Sequence, residues 1–251
     1  MLYGFFNFVL RILQTVLTRR EIVGLENVPP TGALIIIGNH TSFLDPLLLG
    51  VAMPRRAVFM SKAENFRHPI LALLAWLYGA FPVRRGVVDR RALKRSHQVL
   101  DQGLVLAMFP EGHRSETGQL QRAHLGTALV AVRTGATILP IAITGAVPGI
   151  GPLLRLQRPH IKLTFGQPFH LPVAAGSQVN KTQLWQLSDF MMYRIAELLP
   201  PEHRGAYADP NHPPTQEMPP DEVDEWAPAT PLEWWRSLFG WKGASSTAKG
   251  G

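Results

Sequence analysis

The sequence ALIIIGNHTSFLD, residues 33–45, decides the fold, because it joins an apolar run to a loop of reactive side chains. Its first part, residues 33–38, is short and rich in β-branched residues, which is typical of a buried strand. The loop 39–45 follows, and the apolar segment 46–53 then predicts a helix. A strand, a polar loop and a helix in this order predict a site at the carboxyl edge of an α/β sheet.

The alternation of strands and helices continues along the chain. Apolar, β-branched runs predict further strands at residues 57–60, 104–108, 137–143 and 161–165. Helical patterns lie between or after them at residues 64–80, 89–102, 124–134 and 181–199. The sequence therefore predicts an α/β fold: a single domain, residues 21–200, with a mixed, mostly parallel sheet flanked by helices.

Length and composition bound the class of protein. The 251 residues suffice for one sizeable core, whereas two full domains would be cramped. Apolar residues make up 46% of the chain, which excludes wholesale disorder. The absence of cysteine excludes a disulfide scaffold, a cysteine-based zinc site and a thiol acyl-enzyme.

Charge is unevenly distributed along the chain. The formal net charge is +7, with +11 on residues 1–200 and −4 on residues 201–251. A basic body suits an anionic partner, such as nucleic acid, anionic lipid headgroups or a phosphorylated substrate. The basic residues form no stripe interleaved with aromatic residues, so we expect no nucleic-acid partner.

The first 20 residues predict a membrane-associated helix. Residues 2–18 are mostly apolar, and as a helix they would be roughly 26 Å long, slightly short of a bilayer core. Asn7, Arg11 and Gln14 recur at helical spacing, and Arg11 would be costly in the middle of a membrane span. We therefore expect a helix that lies in the membrane interface, near anionic headgroups. An amphipathic helix that covers a soluble core is the alternative.

Residues 201–251 are rich in proline and acidic residues, which predicts a mobile tail. The tail contains the tryptophan-rich segment LEWWRSLFGW, residues 232–241. Tryptophan favours membrane interfaces. A second membrane contact and a segment folded back onto the body are both compatible with this pattern.

The loop after the first predicted strand contains Asn39, His40 and Asp45. A hydroxyl group is a poor nucleophile until a base takes its proton, and histidine exchanges a proton near neutral pH. A carboxylate at the other ring nitrogen fixes the tautomer, and the spacing allows Asp45 to fold back onto His40. Because Asp45 precedes Pro46, Asp45 as a helix N-cap is the alternative, and it is compatible with the first role.

Two further motifs combine glycine with charged side chains. FPEGHRS, residues 109–115, follows a predicted strand and therefore lies at the same edge of the sheet. Its glycine allows close approach to a ligand, its arginine can pair with phosphate, and its glutamate can accept a hydrogen bond. GAFPVRRG, residues 79–86, offers two arginines that can form forked bonds to phosphate. Read alone, each motif also fits a solvated polar turn.

Together these motifs resemble the lysophosphatidic acid acyltransferase family, the 1-acylglycerol-3-phosphate O-acyltransferases and their relatives. The resemblance covers roughly residues 20–200 and places four family blocks in the family's order. They are Asn39-His40 with Asp45 (block I), residues 79–85 (block II), 109–115 (block III) and Leu139-Pro140-Ile141 (block IV).

The resemblance implies acyl transfer from acyl-CoA or acyl carrier protein to the free hydroxyl of 1-acylglycerol 3-phosphate (lysophosphatidic acid), giving phosphatidic acid. It implies that His40 is the general base and that Asp45 orients it. It also implies a substrate-binding set: Asn39, Arg84, Arg85, Glu111, Gly112, Arg114 and Ser115. Of these, Arg85 aligns with the family's phosphate-binding arginine. We expect no metal and no cofactor, and a location on the cytoplasmic face of a membrane.

The chain departs from the family pattern at three places. His113 stands where threonine is usual, and Arg84 stands where an acid often precedes the block II arginine. His124-Leu125 stands where the family often has a basic pair. These changes leave open another acceptor, such as a different lysophospholipid or glycerol 3-phosphate. A non-catalytic module that binds anionic lipid is a further alternative.

Overall fold

The computed structural model describes residues 2–77, 79–84, 89–146, 155 and 157–209. Its strands are β1 (Arg19–Val23), β2 (Leu34–Gly38), β3 (Ala57–Lys62), β4 (Phe81–Val83), β5 (Val105–Met108), β6 (Thr137–Thr144) and β7 (His160–Phe165). They form one seven-stranded sheet in the order β1-β7-β6-β2-β5-β3-β4. Only the pair β6–β7 is antiparallel among the neighbours described. The sheet is therefore mixed and mostly parallel, as the sequence predicts.

Helices cover both faces of the sheet. They are α1 (Leu2–Leu17), α2 (Asp45–Ala52), α3 (Pro69–Leu77), α4 (Arg90–Asp101), α5 (Leu125–Thr134) and α6 (Lys181–Ala196). Alternate residues of the fully buried β2 point to opposite sides. Ile35 and Ile37 belong to the apolar cluster with α4, α5 and α6, whereas Leu34 and Ile36 belong to the cluster with α2 and part of α1. Each face of the sheet therefore has its own core.

Two strands were not predicted from the sequence. β1 is polar and largely exposed, with the sequence RREIV, so it has no apolar run. β4 has three residues, one of which is proline. The helix predicted at 64–80 is two elements, a 3₁₀ turn at Ala63–Arg67 and then α3, which begins at Pro69. Proline suits the first turn of a helix, because an N–H group at that position has no acceptor within the helix and its absence costs no hydrogen bond.

The ordered body continues past residue 200. Two 3₁₀ turns, Pro201–His203 and Gly205–Tyr207, pack against it, and Tyr207 is buried. The rest of the predicted tail, including the tryptophan-rich segment 232–241, lies outside the described residues.

Helix α1 turns part of its polar side toward the protein. The Arg11 guanidinium donates to the Val51 carbonyl (3.3 Å), and the Gln14 amide donates to the Leu47 carbonyl (3.0 Å), so both reach α2. Its apolar side is left exposed, with Phe5 67% and Phe8 61% accessible. None of the helices in the described ranges is long and apolar enough to cross a membrane.

Candidate functional site

The site lies where two neighbouring strands end. β2 and β5 are paired in parallel, so Gly38 and Met108 end at the same edge of the sheet. From β2 the chain passes to α2 on one face, whereas from β5 it passes to α5 on the other. The carboxyl edge where neighbouring loops diverge to opposite faces is the place where open α/β sheets bind ligands.

His40 and Asp45 meet at this edge of the sheet. The His40 Nδ1 lies 2.9 Å from the Asp45 Oδ2. The Asp45 side chain is fully buried, while 13% of the His40 side chain remains accessible. The imidazole stacks on the Phe109 ring, with 4.2 Å between centroids. Because Nδ1 is committed to the carboxylate, Nε2 is the nitrogen available for proton exchange with a ligand.

The carboxylate of Asp45 also organises the loop that precedes it. Its Oδ2 accepts from the amides of Thr41 (2.8 Å) and Ser42 (2.7 Å) as well as from the imidazole. Asp45 is the first residue of α2, and the N-cap position belongs to Leu44. The N-cap alternative for Asp45 is therefore wrong: the carboxylate binds loop amides instead of capping α2.

Glu111 is buried beneath the histidine. Its Oε1 accepts from the His40 amide (2.8 Å) and its Oε2 from the Gln121 amide (2.9 Å). Burial raises the pKa of this carboxyl to about 8; the two amide bonds oppose the rise, and the nearby charge of Asp45 adds to it. This geometry differs from the direct substrate contact predicted for Glu111, because both oxygens face main-chain donors inside the protein.

Gly112 allows a close approach between two loops. Its φ is +72°, and a β-carbon there would lie 2.5 Å from the His124 ring. The Pro110 carbonyl accepts from the His124 amide (2.8 Å), so the segment before α5 lies against the 109–115 motif. The structure therefore shows Gly112 in close contact with His124 of the same chain, whereas the sequence predicted a close approach to a ligand.

Asn39 joins β2 to β6. Its side-chain amide donates to the Ile143 carbonyl (2.8 Å), and its side-chain oxygen accepts from the Ile143 amide (2.7 Å). The side chain is buried, with 3% of the residue accessible. Asn39 thus pairs with the sheet, whereas the resemblance implied a substrate contact.

The cationic candidates occupy different positions. Arg114 is exposed, and its neighbour Ser115 donates its amide to the His40 carbonyl (2.7 Å), so the end of the 109–115 motif lies against the histidine. Arg84 is exposed at the end of β4, and its amide donates to Asp89 (3.0 Å). Arg85 lies outside the described residues.

Two residues of the site have no role in the sequence-based prediction. Phe109 supplies the ring against which His40 stacks, and Gln121 supplies the second amide for Glu111. Phe109 is part of a recognised motif, so its position was available from the sequence. Nothing in the sequence distinguishes Gln121, because it acts through its main chain.

Comparisons with known proteins show which sequences this chain resembles. The Acyltransferase family model matches residues 19–144, half of the chain. A chloroplastic 1-acyl-sn-glycerol-3-phosphate acyltransferase of Arabidopsis thaliana is 32% identical over 157 residues, which are 60% of this chain and 43% of the relative. The protein of that name from Bacillus subtilis is 28% identical over 77% of this chain and 96% of its own length. This chain thus spans less than half of the plant relative's length.

The fold also has a solved counterpart. The crystal structure of the 1-acyl-sn-glycerophosphate acyltransferase PlsC from Thermotoga maritima aligns with a TM-score of 0.55 and 21% identity. The alignment covers 76% of this chain and 80% of that one, which shows a common fold. Because the family model spans the strands β1 to β6 and the loops that carry His40, Asp45 and Glu111, this chain belongs to the acyltransferase family.

Proposed function

We propose that the protein transfers a fatty acyl group from a thioester donor to the free hydroxyl of 1-acylglycerol 3-phosphate, giving phosphatidic acid. The observation that carries the proposal is the 2.9 Å hydrogen bond between His40 and buried Asp45 at the carboxyl edge of the sheet. The relatives that are named for this activity support the choice of acceptor.

The proposed chemistry is direct transfer. The His40 Nε2 takes the proton of the acceptor hydroxyl as its oxygen attacks the thioester carbonyl carbon. The tetrahedral intermediate then collapses, the C–S bond breaks, and the imidazolium returns its proton to the departing thiolate. Asp45 holds the tautomer with a proton on Nδ1 and stabilises the imidazolium while it exists. The donor is acyl-CoA or acyl carrier protein, and the chemistry requires no metal or cofactor.

Five main-chain amides near His40 already have acceptors within the protein. Those of His40, Thr41, Ser42, Gly112 and Ser115 all donate to acceptors inside the protein. These five amides are therefore not available to stabilise the oxyanion. Our candidate is the exposed guanidinium of Arg114, next to Ser115. A positive group placed where negative charge develops in the transition state is usually the largest single contribution to catalysis.

The acceptor phosphate would be bound by arginine. Arg85 is the candidate that the family resemblance supplies, and Arg84 precedes it in the chain at the end of β4. A guanidinium presents two parallel donors to phosphate oxygens, which gives direction as well as charge.

The exposed apolar side of α1 supports a location at a membrane surface. We propose that this surface is the cytoplasmic face of the membrane. Phe5 and Phe8 are mostly accessible, and on α3 Leu73 and Trp76 are exposed as well. α1 also contacts α3, so these side chains belong to neighbouring elements. An apolar helix face bordered by cations is the arrangement that binds anionic bilayers in the interfacial plane.

The test is acyl transfer by the purified chain. Acyl-CoA and acyl carrier protein would each be offered with 1-acylglycerol 3-phosphate, glycerol 3-phosphate and other lysophospholipids, and the products identified by mass spectrometry. We expect phosphatidic acid from the first acceptor with wild type and none with His40→Ala. Product from a different acceptor alone would contradict the proposed acceptor, and product from a folded His40→Ala variant would contradict the base.

A different acceptor remains the second candidate. His113 and His124 lie with ring centroids 6.2 Å apart beside the 109–115 motif, at positions where the sequence departs from the family pattern. Another headgroup could use these imidazoles as hydrogen-bond partners, and the same acceptor panel would reveal it.

A further inference from the structure

The two 3₁₀ turns after α6, residues 201–207, contact the loop that follows the 109–115 motif. We call them the C-terminal turns. The Leu120 amide donates to the His203 carbonyl (2.9 Å), and the Ala206 amide donates to the Leu120 carbonyl (3.1 Å). The His203 Nδ1 also lies 3.1 Å from the Gly118 carbonyl oxygen. The loop 117–123 is therefore attached to a segment far along the chain.

Tyr207 makes the most buried of these attachments. The residue is 1% accessible, and its hydroxyl donates to the Asp189 Oδ1 (3.0 Å) while it accepts from the Ala123 amide (3.2 Å). Burial raises the pKa of Tyr207, so the hydroxyl stays protonated and remains a donor. Tyr207 thus ties residue 123 to α6, which carries Asp189.

Gln121 lies between the two attached residues, Leu120 and Ala123. Its amide donates to one oxygen of Glu111, whose other oxygen accepts from the His40 amide. Glu111 is fully buried, so these two amides fix where its carboxyl group lies. A continuous set of contacts therefore leads from the C-terminal turns to the main chain of His40.

We propose that the C-terminal turns, chiefly through Tyr207, hold the Gln121–Glu111 bridge and so position the main chain of His40 for acyl transfer. Tyr207 is a positioning residue, because it acts through the loop and not on a ligand. For its activity readout the proposal rests on the proposed function. Displacing a reacting group by about 1 Å can lower a rate about 100-fold, so a small shift of the bridge is enough.

The test uses the full chain with Tyr207→Phe and, as matched control, Tyr193→Phe. The two rings pack edge to face with centroids 5.2 Å apart, but the Tyr193 hydroxyl donates to the Asp209 carbonyl, away from loop 117–123. Each variant would be assayed well below its unfolding temperature for kcat, for both KM values, and for hydrogen exchange in peptides containing His40 and Gln121.

For Tyr207→Phe we expect kcat to fall about 10- to 100-fold with unchanged KM values, and exchange at His40 and Gln121 to accelerate. Tyr193→Phe should match wild type in all of these. If Tyr207→Phe does not fold, His203→Ala removes a partly exposed contact of the same turns and should shift kcat and exchange in the same direction.

The proposal is overturned if a folded Tyr207→Phe variant exchanges hydrogen at His40 and Gln121 as slowly as wild type. It is also overturned if exchange is faster but kcat is unchanged. If the wild type itself transfers no acyl group, the proposed function fails separately. Hydrogen exchange then still tests whether the C-terminal turns hold the bridge. Faster exchange in Tyr207→Phe supports their positioning role, and unchanged exchange overturns that role.

Discussion

At the scale of single residues, two buried carboxyl groups bind the main-chain amides around His40. Asp45 binds two amides of its own loop, and Glu111 binds the amides of His40 and Gln121. The two carboxyl groups therefore hold the loop around His40 from both sides. A rigidly held base keeps its geometry without reorganisation during the reaction.

Asp45→Asn should lower kcat by roughly 10²–10⁴-fold with little effect on folding. The amide oxygen can still accept from the loop, but the neutral group does not stabilise the imidazolium. Steady-state kinetics would measure the loss, with Asp101→Asn on the exposed end of α4 as control. Near-normal turnover by folded Asp45→Asn would remove the carboxylate from the mechanism.

Glu111 should make stability fall as pH rises. Its pKa is raised from 4.5 to about 8 in the folded chain, so over that range the folded state holds a proton that the unfolded state has released. The free energy of unfolding should therefore decrease by up to about 1.4 kcal/mol per pH unit between these values.

Glu111→Gln should remove this slope, while Glu116→Gln, on an exposed side chain, should retain it. Urea unfolding at several pH values measures the slope separately from any constant loss of stability. An identical slope in wild type and Glu111→Gln would show that another group is responsible.

At the scale of elements, the end of β2 is continued by a side chain. β2 pairs with β6 up to Gly38 and Ile141, and the Asn39 amide group then takes both hydrogen bonds of the Ile143 main chain. The side chain imitates a strand partner, so the backbone can leave the sheet at residue 39 and lead directly into His40.

Asn39→Ala should destabilise the fold by about 2–4 kcal/mol, because it leaves the amide and carbonyl of Ile143 buried and unpaired. Denaturant unfolding measures the loss, with the exposed Asn65→Ala as control. Any surviving activity should show an unchanged KM for the acceptor. A raised acceptor KM at normal stability would instead support the substrate contact that the family resemblance implied.

The strands that could be predicted from the sequence are the buried ones. β2, β5 and β6 are apolar runs, so pattern alone located them, and the five-residue spacing of His40 and Asp45 allowed their contact. β1 and β4 are held by strand pairing and carry little apolar signal. The inward orientation of Glu111 depends on Gln121 and on the C-terminal turns, which are distant in sequence and join only in the folded chain.

At the scale of the whole molecule, the accessible apolar side chains of α1 and the net positive charge suit a lipid surface. The pair Phe5→Ser and Phe8→Ser should reduce partitioning onto anionic vesicles by about 100-fold or more, since burying each phenylalanine contributes about 1.5–3 kcal/mol.

Vesicle sedimentation measures this partitioning. Phe190→Ser provides a control, because that exposed ring lies on α6 and packs on Phe169, on the other face of the sheet. Equal losses in both variants would point to general apolar adhesion, and no loss in the α1 variant would place the bilayer contact elsewhere.

The antiparallel pair β6–β7 has a consequence for how the molecule meets lipid. Because β7 reverses direction and β1 runs parallel to it, β1 starts at the edge where β2 and β5 finish. Helix α1 ends two residues before β1, so its last turn lies at that edge too. With α1 lying flat on a bilayer, this edge would face the lipid headgroups, and a lysolipid could present its hydroxyl without leaving the leaflet.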